Sequence, residues 1–128
     1  AKAQSTVRSL LLDNYWNSPV GISGNDDCGQ MSSWYIFNAL GFYPMNPASA
    51  EYVVSSPIFD KVEIRLPQVD HVLTLIASES RNKQYVGGVS MDGEEVISPV
   101  LKHAEVLKAS SITFAMSDKP QTWGSDVL

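Results

Sequence analysis

The chain has 128 residues, of which 44% are hydrophobic, and a formal net charge of −5, the size of about one domain. A pI near 4.8 and the lack of any Lys/Arg cluster exclude a nucleic-acid partner that needs a basic patch, and no window approaches the ~18 consecutive apolar residues of a membrane span. The single cysteine, Cys28, excludes an internal disulfide framework.

The N-terminus, Ala1-Lys2-Ala3-Gln4-Ser5, has neither an apolar signal core nor a Met start, so the chain reads as a piece of something longer. From Ala3 to Trp16, apolar residues at Val7, Leu10, Leu11 and Tyr15, with Leu12 beside them, predict an amphipathic packing helix. Asn17-Ser18-Pro19 should stop it, because the residue before proline avoids the α region. Val20 to Ser23 is a short loop containing Gly21. Gly24-Asn25-Asp26-Asp27-Cys28-Gly29-Gln30 then sets two adjacent carboxylates between two glycines. The apolar run Met31 to Leu40 follows.

That run predicts a second helix over about Asp27 to Leu40, with Asn25, Asp26 or Asp27 at its N-cap and Gly41 at its left-handed C′ position. A carboxylate there sits at the positive end of the helix dipole. It is a poor proton donor but a usable general base or cation ligand. Capping alone also explains an Asp-Asp pair. Met31, Trp34, Tyr35, Ile36, Phe37, Ala39 and Leu40 project nearly all round the helix, which therefore must be buried on most sides. Neither the first helix nor the loop supplies that much cover, so the partners lie elsewhere or in the portion that follows.

Tyr43-Pro44 and Asn46-Pro47 break the helix and make a connector. From Glu51 the period changes to two. Lys61 to Leu66 alternates Val62, Ile64 and Leu66 inward with charges outward. His71 to Ala77 is apolar enough for a strand covered on both faces. Tyr85 to Met91 and Glu95 to Ile97 flank Asp92-Gly93, a two-residue hairpin turn. Leu101 to Ala109 fits helix or strand, and Ile112, Phe114 and Met116 alternate again. Short strands with regular turns predict an antiparallel sandwich. The lone His71 and His103 lack metal-ligand spacing and read as packing or surface residues. Cys28 has no neighbouring base, and the adjacent acids disfavour its thiolate.

The motif G-N-D-D-C-G-Q-M-S-x-W-Y, and the run from Gly24 to Leu66 around it, closely resembles the C-terminal part of glycoside hydrolase family 92, calcium-dependent inverting exo-α-mannosidases. The likeness continues more loosely through Tyr85, the His103 segment, Ile112 to Ser117 and Trp123-Gly124. It implies an α+β chain with three parts: residues 1–43 as the terminal helical hairpin of an (α/α)6 barrel with an active-site loop, 44–50 as linker, and 51–128 as an antiparallel β-rich portion.

Inverting hydrolysis needs an acid for the leaving oxygen and a base for the attacking water. The resemblance implies that Asp27 is the general base and that Asn25 positions the water. It leaves the role of Asp26, on the variable acidic position, open. Gln30 either orients a substrate hydroxyl or water or bonds the backbone, and Trp34 is either core or a sugar-stacking platform. The implied cofactor is Ca2+, which suits oxygen ligands, with Asp27 touching it directly or through another ligand. The implied partners are a mannose-containing glycan and the upstream barrel and N-terminal β domain of the same polypeptide, which would hold the general acid. The implied setting is secreted, periplasmic or cell-surface, with N-glycan degradation as the process. Two rival readings carry no catalysis: a carbohydrate-binding module built on the β-rich half and a tryptophan, and a structural sandwich cap.

Overall fold

Residues 1–67 and 69–125 are described in the computed structural model and hold three α-helices and eight strands; residue 68 and the last three residues of the expected β-rich portion lie outside them. Helix α1 spans Lys2–Asp13, and α2 spans Gln30–Leu40. Strands β1 (Phe42–Tyr43), β2 (Glu51–Val54) and β7 (Val100–Lys102) form a three-stranded antiparallel sheet in the order β1-β2-β7. Residues between β1 and β2 include a 3₁₀ turn at Pro47–Ser49, with the Asn46 side chain accepting from the Ala48 amide. Strands β3 (Lys61–Arg65), β4 (Val72–Ile76), β5 (Tyr85–Met91), β6 (Glu94–Val96) and β8 (Ser111–Ser117) form a second sheet in the order β3-β4-β8-β5-β6.

This second sheet is mixed rather than antiparallel throughout. β4 and β8 pair in parallel, with Leu75 opposite Ile112, while β8 pairs antiparallel with β5 on its other side. A parallel pair needs a long crossover, and here β5, β6, β7 and helix α3 (His103–Lys108) supply it. The segment of double character thus divides: Leu101 belongs to β7, and the helix starts at His103. Asp92 and Gly93 both take positive φ, 49° and 88°, as a tight two-residue β5–β6 turn requires. Val62 and Ile64 of β3 turn toward the core, and Leu66, one residue past its end, packs there too. β4 buries Leu73 and Leu75 while Val72 is exposed, so it is covered on one face and not two.

One core joins both sheets and α3. Phe42, Val54 and Leu101 from the small sheet meet Leu73, Leu75, Val86, Val89, Ile112 and Phe114 from the large one, with Val106 closing an end. Phe37 and Leu40 of α2 pack against it, and the Phe37 ring stacks on Tyr52 at 6.1 Å. Both histidines are tied into this frame, His103 Nδ1 to the Tyr52 hydroxyl at 2.7 Å and His71 Nε2 to the Ala109 carbonyl at 3.0 Å.

Helix α1 turns only part of its expected apolar stripe inward, Val7 half-buried and Leu11 buried, and adds a charged residue to that face. Leu11 is buried, but so is Arg8, whereas Leu10 and Leu12 face outward. The guanidinium reaches into the β-rich portion. Its Nε and Nη2 donate to Ser56 Oγ at 3.1 and 2.9 Å, Nη2 also to the Pro57 carbonyl at 2.6 Å, and Nη1 to the Ser80 carbonyl at 2.9 Å. Burial lowers the Arg8 pKa from its usual value, because removing a cation from water disfavours the charged form.

Helix α2 is apolar all round, yet this chain covers it on one side only. Asn38 and Ala39 are buried, while Ile36 is 57% exposed. Gly41 ends it at φ 105° and donates to the Phe37 and Asn38 carbonyls. A Cβ on Gly41 would lie 3.0 Å from both Phe114 Cζ and Pro57 Cβ. Gly41→Ala therefore adds a clash to a left-handed backbone, and should destabilise the fold by about 2 kcal/mol. A denaturation midpoint unchanged from wild type would contradict this.

Candidate active-site loop

Between α1 and α2 the chain doubles back on itself. Trp16 N–H donates to the Gly21 carbonyl at 2.9 Å, Gly21 N–H to the Ser18 carbonyl at 3.0 Å, and Tyr15 bridges Ile22 in antiparallel fashion. A Cβ on Gly21 would fall 1.8 Å from the Trp16 carbonyl oxygen, so only glycine fits there. Tyr15 then braces the far side. Its hydroxyl donates to the Met31 carbonyl at 3.1 Å, and its ring lies 5.9 Å from Trp34, nearly parallel, and 4.9 Å from Tyr35. Burial first, and the Asp26 charge second, push the Tyr15 hydroxyl above the usual phenol range, which keeps it a proton donor in that bond.

The acidic loop itself differs from the expected cap. Helix α2 begins at Gln30, not Asp27, and its N-cap is Gly29 at φ 89°, which has no side chain to offer. The orphan amide is taken from further back: Asp26 Oδ1 accepts from Ser32 N–H at 2.8 Å, and Oδ2 from Ser32 Oγ at 2.9 Å. Asp26, rather than Asp27, is thus the carboxylate set against the first turn of the helix. A local pattern of adjacent Asx residues could not tell them apart, because the choice depends on a turn in which Asp27 (φ 48°) and Cys28 (φ 62°) are both left-handed.

The five candidate residues do not converge on one cavity. Asp26 lines a groove of about 860 Å³ between α1 and α2, with Tyr15, Trp16, Ser32, Tyr35 and Ile36. Gln30 and Trp34 line a smaller cleft of about 370 Å³ with Asn14, Tyr15, Ser23 and Met31. Asn25 and Asp27 line neither, and both are exposed. Among the described residues the Asp27 carboxylate has no hydrogen-bond partner. Gly24 and Gly29 have nothing within 4 Å of an added Cβ, so the loop's outer side is open. Trp34 is half-buried against Tyr15, which fits a packing role and leaves one edge on the cleft. Cys28 is an exposed free thiol.

Tyr15 and Ser32 hold this loop in place, and sequence reading passes over both. Tyr15 counts there only as one step of an apolar stripe, and Ser32 only as part of a motif.

Calcium takes roughly six to eight oxygen ligands. Asn25 and Asp27 supply few, Asp26 is committed to Ser32, and no group of three His, Cys, Asp or Glu side chains gathers among the described residues. The residues of this chain do not by themselves fit a calcium site.

The sequence matches the profile of the glycosyl hydrolase family 92 catalytic domain over residues 1–118. It is similar to an uncharacterized secreted glycosidase of Arthroderma benhamiae, 25% identical over 98% of this chain and 16% of that protein. The fold is similar to a family GH92 α-mannosidase from Bacteroides thetaiotaomicron, with a TM-score of 0.84 and 34% identity over 91% of this chain and 16% of the other. That enzyme's structure with mannoimidazole aligns at a TM-score of 0.85, covering 92% of this chain and 16% of that one. A family GH92 inverting mannosidase from the same species is 31% identical, with a TM-score of 0.82 over 93% of this chain and 16% of its own. The chain therefore spans about a sixth of the length of these relatives.

Proposed function

Since the chain belongs to glycosyl hydrolase family 92, we propose that it is the C-terminal part of an inverting exo-α-mannosidase and carries its general-base loop. The observation that carries this is the state of Asp27. Within the matched region it is the one carboxylate of the motif left without a partner, on an open face of a loop fixed at both ends. A general base must be ionised, reachable by water and unencumbered.

In this reading Asp27 takes a proton from water as the water attacks the anomeric carbon. Asn25 offers its amide to the same water. The acid that protonates the leaving oxygen comes from outside this chain, roughly 6.5–9.5 Å from Asp27 across the sugar. Gln30 and Trp34 border the cleft on the other side of the loop and act on substrate only as a second line of contact. A calcium ion in the whole enzyme would draw its oxygens mainly from other segments, with Asp27 at most an accessory.

The barrel part of the reading is supported by uncovered apolar surface. Leu12 is 66% exposed, Val20 76% and Ile36 57%, all near the α1–α2 pair, and large apolar patches mark surfaces that another element covers. The upstream barrel and N-terminal domain of the same polypeptide are the proposed cover, and the proposed setting is secreted, periplasmic or cell-surface, the first of these supported by the secreted relative. A role in N-glycan degradation would follow from the same mannose-containing substrates.

Comparing the longer polypeptide with the 128-residue chain tests this. The longer one should release mannose from aryl or disaccharide α-mannosides with inversion, seen as β-mannose by NMR. The 128-residue chain, lacking the acid, should give no turnover. Turnover by the short chain, or retention of configuration by the long one, would sink the proposal.

A further inference from the structure

Three successive residues before α2 lie in the left-handed region: Asp27 at φ 48°, Cys28 at 62° and Gly29 at 89°. Two of them carry a Cβ, and such residues are strained there and persist only where their surroundings over-determine them. Most of the restraints on the turn pass through Asp26. Asp26 holds Ser32 through both carboxylate oxygens, at 2.8 and 2.9 Å, and its own carbonyl accepts from Met31 N–H at 3.2 Å. Across the turn, the Asp27 carbonyl accepts from Gln30 N–H at 3.4 Å.

An ordinary N-cap side chain satisfies an amide two or three residues on. Here the capping carboxylate reaches six residues on and spans the whole left-handed turn. Capping the helix and holding the turn are therefore one act, and the turn's shape sets where the Asp27 carboxylate projects. Tyr15 supports the same point from the other side through the Met31 carbonyl.

We infer that Asp26 is a positioning residue: its clasp on Ser32 holds the strained 27–29 turn and so aims Asp27 at the reacting water. This rests on the reading of Asp27 as the general base. It gives the two adjacent acids separate tasks, one reacting and one structural, that their shared chemistry conceals. Asp26 and Ser32 act as a pair, so their contributions to turnover are not independent.

Steady-state kinetics on the full-length enzyme test the inference, using Asp26→Ala, Asp26→Asn, Ser32→Ala, the Asp26→Ala/Ser32→Ala double variant and Asp27→Asn. Misplacing a catalytic group by about 1 Å can lower the rate on the order of 100-fold. Asp26→Ala should lower kcat on the order of 10- to 100-fold with KM little changed. Asp26→Asn, which keeps one carbonyl oxygen for the Ser32 amide, should recover most of that loss. Ser32→Ala should lower kcat less than Asp26→Ala does, and the double variant should be no worse than Asp26→Ala.

Wild-type kcat in Asp26→Ala well below its melting temperature, with only the melting temperature reduced, would make Asp26 a helix cap and overturn the inference. So would losses in kcat that multiply in the double variant. Should Asp26→Ala fail to fold, Asp26→Asn and Ser32→Ala decide it, both at full kcat overturning it. An inactive Asp27→Asn beside a fully active Asp26→Ala defeats this inference alone, whereas a fully active Asp27→Asn defeats the general-base reading and this inference with it.

Discussion

Asp27→Asn in the whole enzyme should lower kcat by about 10²–10⁴-fold while leaving the melting temperature unchanged. In free energy that is about 3–5 kcal/mol of lost transition-state stabilisation. Two features of the site separate chemistry from folding here. The Asp27 carboxylate bonds to nothing within the described residues, so the amide leaves no partner orphaned. The backbone at φ 48° is one that asparagine adopts at least as readily as aspartate, so the turn survives. What is removed is basicity. Asp26→Asn should be much the milder change. Near-full kcat in Asp27→Asn, or greater damage from Asp26→Asn, would show that the base has been assigned to the wrong carboxylate.

Arg8→Met should destabilise the protein by about 3–5 kcal/mol. Methionine keeps much of the apolar stem and sheds the charge, and shedding a buried charge is by itself favourable. The loss wins because the partners stay behind. The carbonyls of Pro57 and Ser80 and the Ser56 hydroxyl all take bonds from the guanidinium, and main-chain oxygens cannot be mutated away with it. Each buried polar group left unsatisfied costs about 1–3 kcal/mol, partly relieved by relaxation or entering water. Arg8→Lys keeps the charge but not the planar fork that reaches several acceptors at once, so it should recover less than half of the loss. Chemical denaturation of the intact protein, comparing midpoints and slopes, checks both. A midpoint within error of wild type for Arg8→Met would mean that α1 is held by Leu11 and its neighbours alone.

Period and punctuation made much of this architecture readable in advance. Lys61 to Leu66, Ile112 to Met116 and the Asp92-Gly93 turn announce strands and a hairpin, and Gly41 announces a helix end. Strand neighbours were less readable. Nothing in the alternation of Ile112, Phe114 and Met116 says that one partner runs parallel and the other antiparallel, because pairing is a long-range choice. The two- and three-residue strands at Phe42–Tyr43 and Val100–Lys102 are too short to show a period. In the loop, the motif located the acids, but adjacent aspartates carry the same local signal. Only the left-handed turn distinguishes the one bonded to Ser32 from the one left free. Arg8 was hidden for a related reason: a charged residue beside an apolar stripe reads as solvated until its acceptors at Ser56, Pro57 and Ser80, 48 to 72 residues away, are known.

The place of β8 has a consequence for how the chain is made. Among the described residues it is the last strand in sequence and the middle strand of its sheet, and its Ile112 and Phe114 are among the most buried side chains. A ribosome delivers β3–β4 and β5–β6 first, as two hairpins that have no contact through strand pairing with one another. Each exposes an edge that is ready to pair with any other strand. The sheet becomes one object only when Ser111–Ser117 has emerged and slid between them. A nascent or prematurely terminated product ending before Ser111 is therefore two open hairpins rather than a shortened sheet, and a substrate for chaperones or proteases. A break after Ser117 leaves every strand of this sheet in place, while a break before Ser111 removes the one that joins it.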